Sequence, residues 1–164
     1  MSESTMAGAQ VGSIEPLRLA FDVARPASHA FAVWTGDIDR WWPADHTASG
    51  DADLVVVLEP RVGGRIYERT SDGRETDWGE ILVWEPHARF VYTWHLKRDR
   101  ADATEVEVRF VPTSAETTRV EIEHRGWDRL GSDGPAWRER NGGGWASLLP
   151  HYIAAASAAD TNGG

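Results

Sequence analysis

Short segments of alternating apolar residues, separated by chain-breaking residues, fill the middle of this chain. The breakers are Gly63-Gly64, Asp72-Gly73, Pro86 and Pro112, and each favours a turn or the end of a strand. The expected strands are 54–60, 64–70, 75–85, 88–97, 104–112 and 117–126. Strands joined by such short turns pair most economically with their neighbours, so we expect an antiparallel meander.

Alternation gives this sheet one dry face and one wet face. The residues expected on the dry face are Phe90, Tyr92, Trp94, Leu96, Val106, Val108, Phe110, Val120 and Ile122, together with His124. The residues between them are largely charged and include Glu105, Glu107 and Arg109. We therefore expect cross-strand ion pairs on the face turned toward water.

Two short helices are expected between a first strand and the meander. Apolar residues alternate within 16–24, which is typical of a strand with one buried face. A helix is expected from Pro26 to Gly36, and a second over 37–42 that stops at Pro43.

A long helix is expected over 135–158, packed against the dry face of the sheet. The apolar residues at helical spacing are Trp145, Leu148, Leu149, Tyr152 and Ile153. Residues 142–144 are three glycines and residue 150 is proline, and both residue types disfavour a helix interior. We therefore expect a bend or an irregular start in this helix.

Length, charge and composition restrict the class of protein. With 164 residues, the chain is expected to form one folded domain over 14–158, with disordered ends at 1–13 and 159–164. The net charge of −9 opposes binding to nucleic acid or to an anionic membrane. The absence of cysteine leaves the compartment undecided. Because no signal peptide is recognisable, we expect a cytoplasmic protein, and we expect it to be a monomer or weak dimer.

No motif indicates a metal, a cofactor or a catalytic nucleophile. The sequence lacks paired metal-ligand spacing, a phosphate loop, a dinucleotide fingerprint and a nucleophile elbow. General acid–base chemistry on a bound molecule stays open, with His124, Glu80, Tyr92 and Arg65 as the polar groups expected near a pocket.

The other histidines differ in their expected surroundings. By strand parity, His95 is expected to face solvent. His46 follows Asp45 directly and is close enough to pair with that carboxylate. His124 has inward parity, and three roles stay open for it: a general base, a group that hydrogen-bonds a ligand, or a buried residue with structural partners.

Several stretches of the sequence resemble the START-related SRPBCC superfamily, and within it the branch named after the activator of the heat-shock protein 90 ATPase. The resembling stretches are residues 30–34, Trp41-Trp42-Pro43, residues 59–65 with Tyr67-Glu68, Trp78-Gly79-Glu80, residues 83–86, Glu123-His124 and Gly144-Trp145. The resemblance implies an α+β helix-grip fold, a curved antiparallel sheet wrapped around a long C-terminal helix. Such a fold leaves a pocket between the sheet and the helix.

A narrower resemblance is to the self-resistance proteins of enediyne antibiotic producers. It rests on Trp41-Trp42-Pro43, Glu123-His124, residues 128–131, Arg140-Asn141 and Gly144-Trp145. This resemblance implies a hydrophobic polycyclic ligand, and in a self-sacrifice version the ligand takes hydrogen from a backbone glycine. The candidate glycines are Gly126 and Gly131, with Gly142, Gly143 and Gly144 as further ones.

The sequence contains nine tryptophans, more than a core of this size requires. Flat, stiff side chains suit a rigid polycyclic ligand because they lose little freedom on binding. The residues expected to bind the ligand are Trp78, Trp84, Phe90, Tyr92, Trp94, Phe110, His124, Trp145 and Leu149. Trp34, Trp41 and Trp42 are expected to pack the two short helices instead.

Three functions follow from these observations. The first is a non-enzymatic protein that binds a hydrophobic enediyne or polyketide-type natural product, for sequestration or self-resistance. The second is a polyketide cyclase or aromatase-like enzyme. The third is a co-chaperone-like interaction module, which ranks last because no recruiting domain is found in the 13 residues before the first strand.

Overall fold

The computed structural model describes residues 14–96 and 99–158. The ends expected to be disordered, 1–13 and 159–164, lie outside the described residues. The strands are β1 Leu17–Val23, β2 Val55–Leu58, β3 Arg65–Arg69, β4 Glu75–Glu85, β5 Arg89–Trp94, β6 Thr104–Ser114 and β7 Thr117–Arg125. The helices are α1 Ala27–Thr35, α2 Ile38–Trp41 and α3 Gly134–Ser157, with 3₁₀ turns at Ala44–His46, Arg100–Asp102 and Trp127–Asp133.

The described strands form one antiparallel sheet in the order β1-β7-β6-β5-β4-β3-β2. The predicted meander is confirmed, since each strand from β2 to β7 pairs with the next one along the chain. The first strand, β1, lies at one edge of the sheet and pairs with β7. In the part of the chain that the structure describes, no helix is long and apolar enough to cross a membrane.

The wet face carries the predicted cross-strand ion pairs. Arg125 on β7 lies 2.9 Å from Glu107 and 3.3 Å from Glu105, both on β6. Arg109 on β6 lies 3.1 Å from Glu121 on β7. Burial raises the pKa of Glu107, but hydrogen bonds from three arginines outweigh burial and hold that pKa below its ordinary value.

The dry face packs against α1, α2 and α3. The ring of Trp34 lies 4.7 Å from the ring of Tyr152 on α3, and the Tyr152 hydroxyl donates to the carbonyl oxygen of Ala30 at 2.8 Å. The indole of Trp41 donates to the carbonyl oxygen of Val33 at 2.9 Å. As expected, Trp34 and Trp41 therefore hold the short helices to the long one.

The long helix α3 is uninterrupted from Gly134 to Ser157. The irregular start expected at residues 142–144 is not found, because these residues and Pro150 lie inside the helix. The alternative expectation, a bend at this point, stays a prediction. The apolar residues that follow the glycines and flank Pro150 are buried, among them Trp145, Leu149 and Tyr152, and burial of one helix face outweighs a propensity cost of about 1 kcal/mol per glycine.

Two shifts of register in the sheet affect β4. The pairing with β3 shifts between Ile66 and Tyr67, and the pairing with β5 shifts between Ile81 and Val83. Each shift moves the following side chains to the other face of the strand. Trp78 lies at the first shift and Trp84 follows the second. Both residues contact the core, but the alternation of the strand is interrupted between them.

The prediction that His95 faces solvent is wrong. His95 is buried, with 6% of its surface exposed. The strand β5 ends at Trp94, and the backbone N–H of His95 donates to the carbonyl oxygen of Trp78 at 2.8 Å. Since His95 lies beyond the strand, its orientation no longer follows strand parity.

Candidate ligand-binding cavity

A cavity of about 280 Å³ lies between β5, the loop after α2 and one face of α3. Its aromatic lining consists of Trp42, Tyr92, Trp94, Trp137 and Trp145, and its other apolar lining of Leu96, Gly144 and Leu148. The polar groups in the lining are Asp45, His46, Thr47, Arg140 and Asn141. A mostly apolar wall with a few polar groups is typical of small-molecule sites.

The rings in the wall hold each other in place. Trp42 lies 5.9 Å from Trp94 and 5.1 Å from Trp78, centroid to centroid. Tyr92 lies 5.9 Å from Trp94, at an angle of 72° between the ring planes. Tilted and edge-to-face contacts are the favoured geometries for aromatic pairs. The wall is therefore formed in advance, and a flat ligand would immobilise few side chains.

His124 fixes the orientation of Trp145 from behind the cavity wall. The Trp145 indole N–H donates to Nδ1 of His124 at 3.0 Å, and Nε2 of His124 lies 2.8 Å from the Thr104 hydroxyl oxygen. A neutral imidazole that accepts at Nδ1 carries its proton on Nε2, so it donates to Thr104. The Thr104 hydroxyl in turn donates to the carbonyl oxygen of Trp94 at 3.3 Å. This chain of hydrogen bonds connects two walls of the cavity.

Glu68 anchors the loop that carries the polar side of the cavity. Its buried carboxylate accepts hydrogen bonds from the backbone N–H of Ala48 at 2.6 Å and of Ser49 at 2.9 Å, and from the indole of Trp78 at 2.9 Å. Burial by itself raises the pKa of Glu68, but these hydrogen bonds outweigh burial, and the pKa lies below its ordinary value. The carboxylate is therefore charged at neutral pH.

Two cavity residues on α3 are oriented by Trp137. The Arg140 guanidinium lies over the Trp137 ring, 5.0 Å from its centroid, a cation–π geometry. The side-chain amide of Asn141 donates to the carbonyl oxygen of Trp137 at 2.9 Å. On the opposite loop, Nε2 of His46 lies 3.2 Å from the Ser147 hydroxyl oxygen and 4.0 Å from a carboxylate oxygen of Asp45. The expected proximity of His46 and Asp45 is thus observed.

Gly144 leaves part of the cavity open. A Cβ atom added at this position would meet nothing within 4 Å, so the missing side chain corresponds to free space in the wall. Gly142 differs, since a Cβ there would lie 3.6 Å from the side chain of Leu17. The glycines that disfavour a helix at this point therefore include one that enlarges the cavity.

Three of the nine expected ligand-binding residues line the cavity, namely Tyr92, Trp94 and Trp145. The other six lie outside its lining. Trp84, Phe90 and Phe110 surround Phe31 of α1. Trp78 packs behind Trp42 and Trp94, Leu149 lies in the core, and His124 lies behind Trp145. Which of the nine contact a ligand stays a prediction.

Of the remaining sequence-based candidates, Gly144 is part of the cavity lining, whereas Arg65, Glu80, Gly126 and Gly131 lie outside it. Arg65 forms ion pairs with Glu75 and Asp77, each at 3.2 Å, and Glu80 is its register partner on β4. Gly126 precedes the 3₁₀ turn after β7 and has a φ angle of 95°, and Gly131 lies within that turn and has a φ angle of 60°.

Sequence reasoning missed the polar half of the cavity and two of its tryptophans, Trp137 and Trp42. Trp42 was expected to pack the short helices, but it lines the cavity. Trp137, Arg140, Asn141, Gly144 and Leu148 lie 0, 3, 4, 7 and 11 residues along from Trp137, so they share one face of α3. That spacing is the signal that could have found them. The loop residues Asp45 to Thr47 and the orientation of Trp42 carry no such periodicity.

A curved antiparallel sheet around one long helix, with a cavity between them, defines the helix-grip class of proteins, as expected from the sequence. The chain belongs to the family described as activator of Hsp90 ATPase homolog 1-like protein, whose model matches residues 24–157. This confirms the resemblance to that branch of the SRPBCC superfamily. Among curated proteins, none matches the chain.

Three solved structures illustrate the similarity. An anthrahydroquino-γ-pyrone synthase, Txn09, solved in complex with SUM, is 37% identical, with 75% of this chain and 84% of that chain covered and a TM-score of 0.54. CalC from Micromonospora echinospora, a self-sacrificing resistance protein, is 27% identical, with coverages of 87% and 92% and a TM-score of 0.63. An Hsp90 activator from Plasmodium falciparum is 17% identical, with coverages of 86% and 94% and a TM-score of 0.60, and shows the fold alone.

Proposed function

We propose that this protein binds a planar, polycyclic aromatic compound of the polyketide or enediyne type in the cavity between β5 and α3, and sequesters it. The observation that carries the proposal is the aromatic lining, in which four indole rings and one phenol ring surround about 280 Å³. Aromatic rings stack on flat ligands with little loss of side-chain freedom.

The polar groups of the cavity suit the oxygen atoms of such a ligand. Arg140 and Asn141 offer hydrogen-bond donors from α3, and His46 and Thr47 offer polar groups from the facing loop. Phenol, quinone and carboxylate oxygens accept hydrogen bonds from guanidinium and amide groups. These groups would set the orientation of a ligand whose rings fill the apolar part.

The similar proteins support this class of ligand. Txn09 is described as a synthase that forms an anthrahydroquino-γ-pyrone, and CalC as a self-sacrificing resistance protein. The first description concerns a fused aromatic molecule, and the second a role in self-protection. Both uses are compatible with a rigid aromatic cavity.

The experiment that tests this proposal exploits two neighbouring glycines. Gly144→Leu places a side chain in the cavity, whereas Gly143→Leu places the same side chain at an exposed position on α3 where a Cβ also meets nothing within 4 Å. Both changes raise helix propensity by the same amount. Any difference in ligand affinity between the two variants therefore reports on the cavity.

The probe is 1,8-dihydroxyanthraquinone, and the measurement is quenching of tryptophan fluorescence. We expect saturable quenching of the wild-type protein and of Gly143→Leu, and an affinity at least about tenfold weaker for Gly144→Leu, the equivalent of about 1.4 kcal/mol. Lack of saturable quenching, or equal affinities for the two variants, would contradict binding in this cavity.

Self-sacrifice is a second candidate function, favoured by the similarity to CalC and by the position of Gly144 in the cavity wall. A ligand diradical would take a hydrogen atom from a glycine Cα, and dioxygen would trap the resulting carbon radical before the chain breaks. Mass spectrometry after incubation with an activated enediyne distinguishes cleavage at Gly144 from cleavage at Gly126 or Gly131. An intact chain would exclude this version while leaving sequestration in place.

A further inference from the structure

His46 is the histidine that lines the cavity. Its side chain has 20% of its surface exposed, so the imidazole is neither buried in the core nor free in solvent. Histidine changes its protonation state between about pH 5 and 8 more readily than any other side chain. A ligand in the cavity would therefore meet a group able to take and return a proton.

The position of His46 is fixed by its backbone and by its ring. Its carbonyl oxygen accepts the indole N–H of Trp42 at 3.0 Å, and the loop continues into the residues that Glu68 anchors. Nε2 of the ring lies 3.2 Å from the Ser147 hydroxyl oxygen on α3. These contacts span the loop and the helix, so the imidazole has a defined place between them.

Ser147 is a positioning residue for this imidazole and not a nucleophile. In a Ser-His-Asp triad, the serine and the carboxylate bind opposite nitrogens of the ring. Here both Ser147 and Asp45 approach Nε2, at 3.2 Å and 4.0 Å. The arrangement lacks the geometry of a relay but retains an acid–base group with a nearby carboxylate.

A cation lines the same cavity as His46. Arg140 lines the same space from α3, with its guanidinium over the ring of Trp137. A fixed positive charge stabilises negative charge that develops on a ligand oxygen. The cavity therefore combines one proton acceptor, one cation and aromatic walls.

We propose, on the basis of the proposed function, that the cavity also catalyses ring closure by proton transfer in a phenol that carries a conjugated ketone. His46 takes the phenolic proton while the phenol oxygen bonds to the β-carbon of the enone. The π electrons of the C=C bond move onto the ketone oxygen, and the enolate is stabilised by Arg140. The imidazolium then returns the proton to the α-carbon, so the product is an isomer of the substrate and no co-reactant is consumed.

The probe for this reaction is 2′-hydroxychalcone, which closes to flavanone with loss of its visible absorption. We expect the wild-type protein to accelerate closure over buffer. His46→Gln should lower kcat by about 100-fold, the smaller end of the effect of general acid–base catalysis, while KM changes less than about threefold. The control is His151→Gln, an exposed histidine on α3 outside the cavity lining, which should keep the wild-type rate.

Ser147→Ala provides a second test if His46→Gln fails to fold. This variant leaves the imidazole in the cavity without its hydroxyl partner, and kcat should fall about fivefold to tenfold, the equivalent of one hydrogen bond. A wild-type protein that binds 1,8-dihydroxyanthraquinone and 2′-hydroxychalcone without accelerating closure overturns catalysis and leaves sequestration standing. Unchanged kcat in folded His46→Gln also overturns it, whereas failure to bind either compound contradicts the proposed function itself.

Discussion

Replacing Glu68 with glutamine removes the charge that holds the cavity loop in place. The two carboxylate oxygens accept three hydrogen bonds from N–H groups, of which those from Ala48 and Trp78 reach one oxygen and that from the backbone of Ser49 reaches the other. Glutamine has the same shape but a single acceptor oxygen. It can keep the first two bonds, and its amide nitrogen then faces the N–H of Ser49.

The expected cost follows from these contacts. A hydrogen bond to a charged acceptor contributes about 1.5–3 kcal/mol and one to a neutral acceptor about 0.5–1.5 kcal/mol. One lost bond and two weakened bonds together lower the free energy of unfolding by about 3 kcal/mol at neutral pH. For a domain of this size, that corresponds to a fall in Tm of roughly 6–12 °C.

Urea denaturation of both proteins over a range of pH tests the reasoning. The pKa of Glu68 is lower in the folded protein than its ordinary value of 4.5. Its contribution to stability is therefore complete above that ordinary value and is lost as the pH falls through the folded-state pKa. The difference between wild type and Glu68→Gln should shrink on acidification. A difference below about 0.5 kcal/mol at neutral pH, or one that grows in acid, would refute the proposed anchor.

Four further substitutions test the helix propensity of α3, the backbone packing of β4, the buried partners of His124 and the ion pairs of the wet face. Gly143→Ala should stabilise the protein by about 1 kcal/mol, because the helix gains propensity and the added Cβ meets no other atom. Gly79→Ala should instead cost about 3 kcal/mol, because its Cβ would clash with the carbonyl oxygen of Thr93. Thermal melts that rank the two variants equally would contradict this. His124→Leu should cost about 2–4 kcal/mol, because the buried indole N–H of Trp145 loses its acceptor and the buried Thr104 hydroxyl loses its donor. An unchanged melting temperature would refute that role. Glu107→Gln should cost about 1 kcal/mol at low salt and less at about 1 M salt, since its carboxylate bridges three arginines; a cost that does not depend on salt would point to packing instead.

Alternation in the sequence predicted the sheet well because strands with one wet and one dry face repeat every two residues. The strand β4 was predicted over 75–85 and is observed as Glu75–Glu85. The same rule failed for His95, which follows the end of β5. A two-residue period is informative only while the backbone is extended and paired.

The irregular start predicted for α3 from local propensity was wrong for a related reason. Gly142, Gly143, Gly144 and Pro150 each disfavour a helix, yet the helix continues through all of them. The residues that bury its face are separated from those positions by only a few residues, and burial against the sheet dominates. Helix propensities can be read from the sequence, but the surface area that the helix buries depends on the folded structure.

Half of the cavity could be inferred from the sequence and half could not. Tyr92 and Trp94 follow from strand parity, and the face of α3 around Trp145 follows from helical spacing. The loop that holds His46 has no periodicity, and its position depends on Glu68, about twenty residues further along. Contacts between distant segments of this kind arise only once the chain has folded.

The central claim is that an aromatic ligand binds between β5 and α3, and the nine tryptophans report on it individually. The measurement is the ¹⁵N–¹H NMR spectrum of the indole groups during titration with 1,8-dihydroxyanthraquinone. We expect the largest shifts at the four indoles that line the cavity, those of Trp42, Trp94, Trp137 and Trp145, and little change at Trp84, which packs against Phe31. Largest shifts at Trp84, or no shift at the four cavity indoles, would contradict the claim.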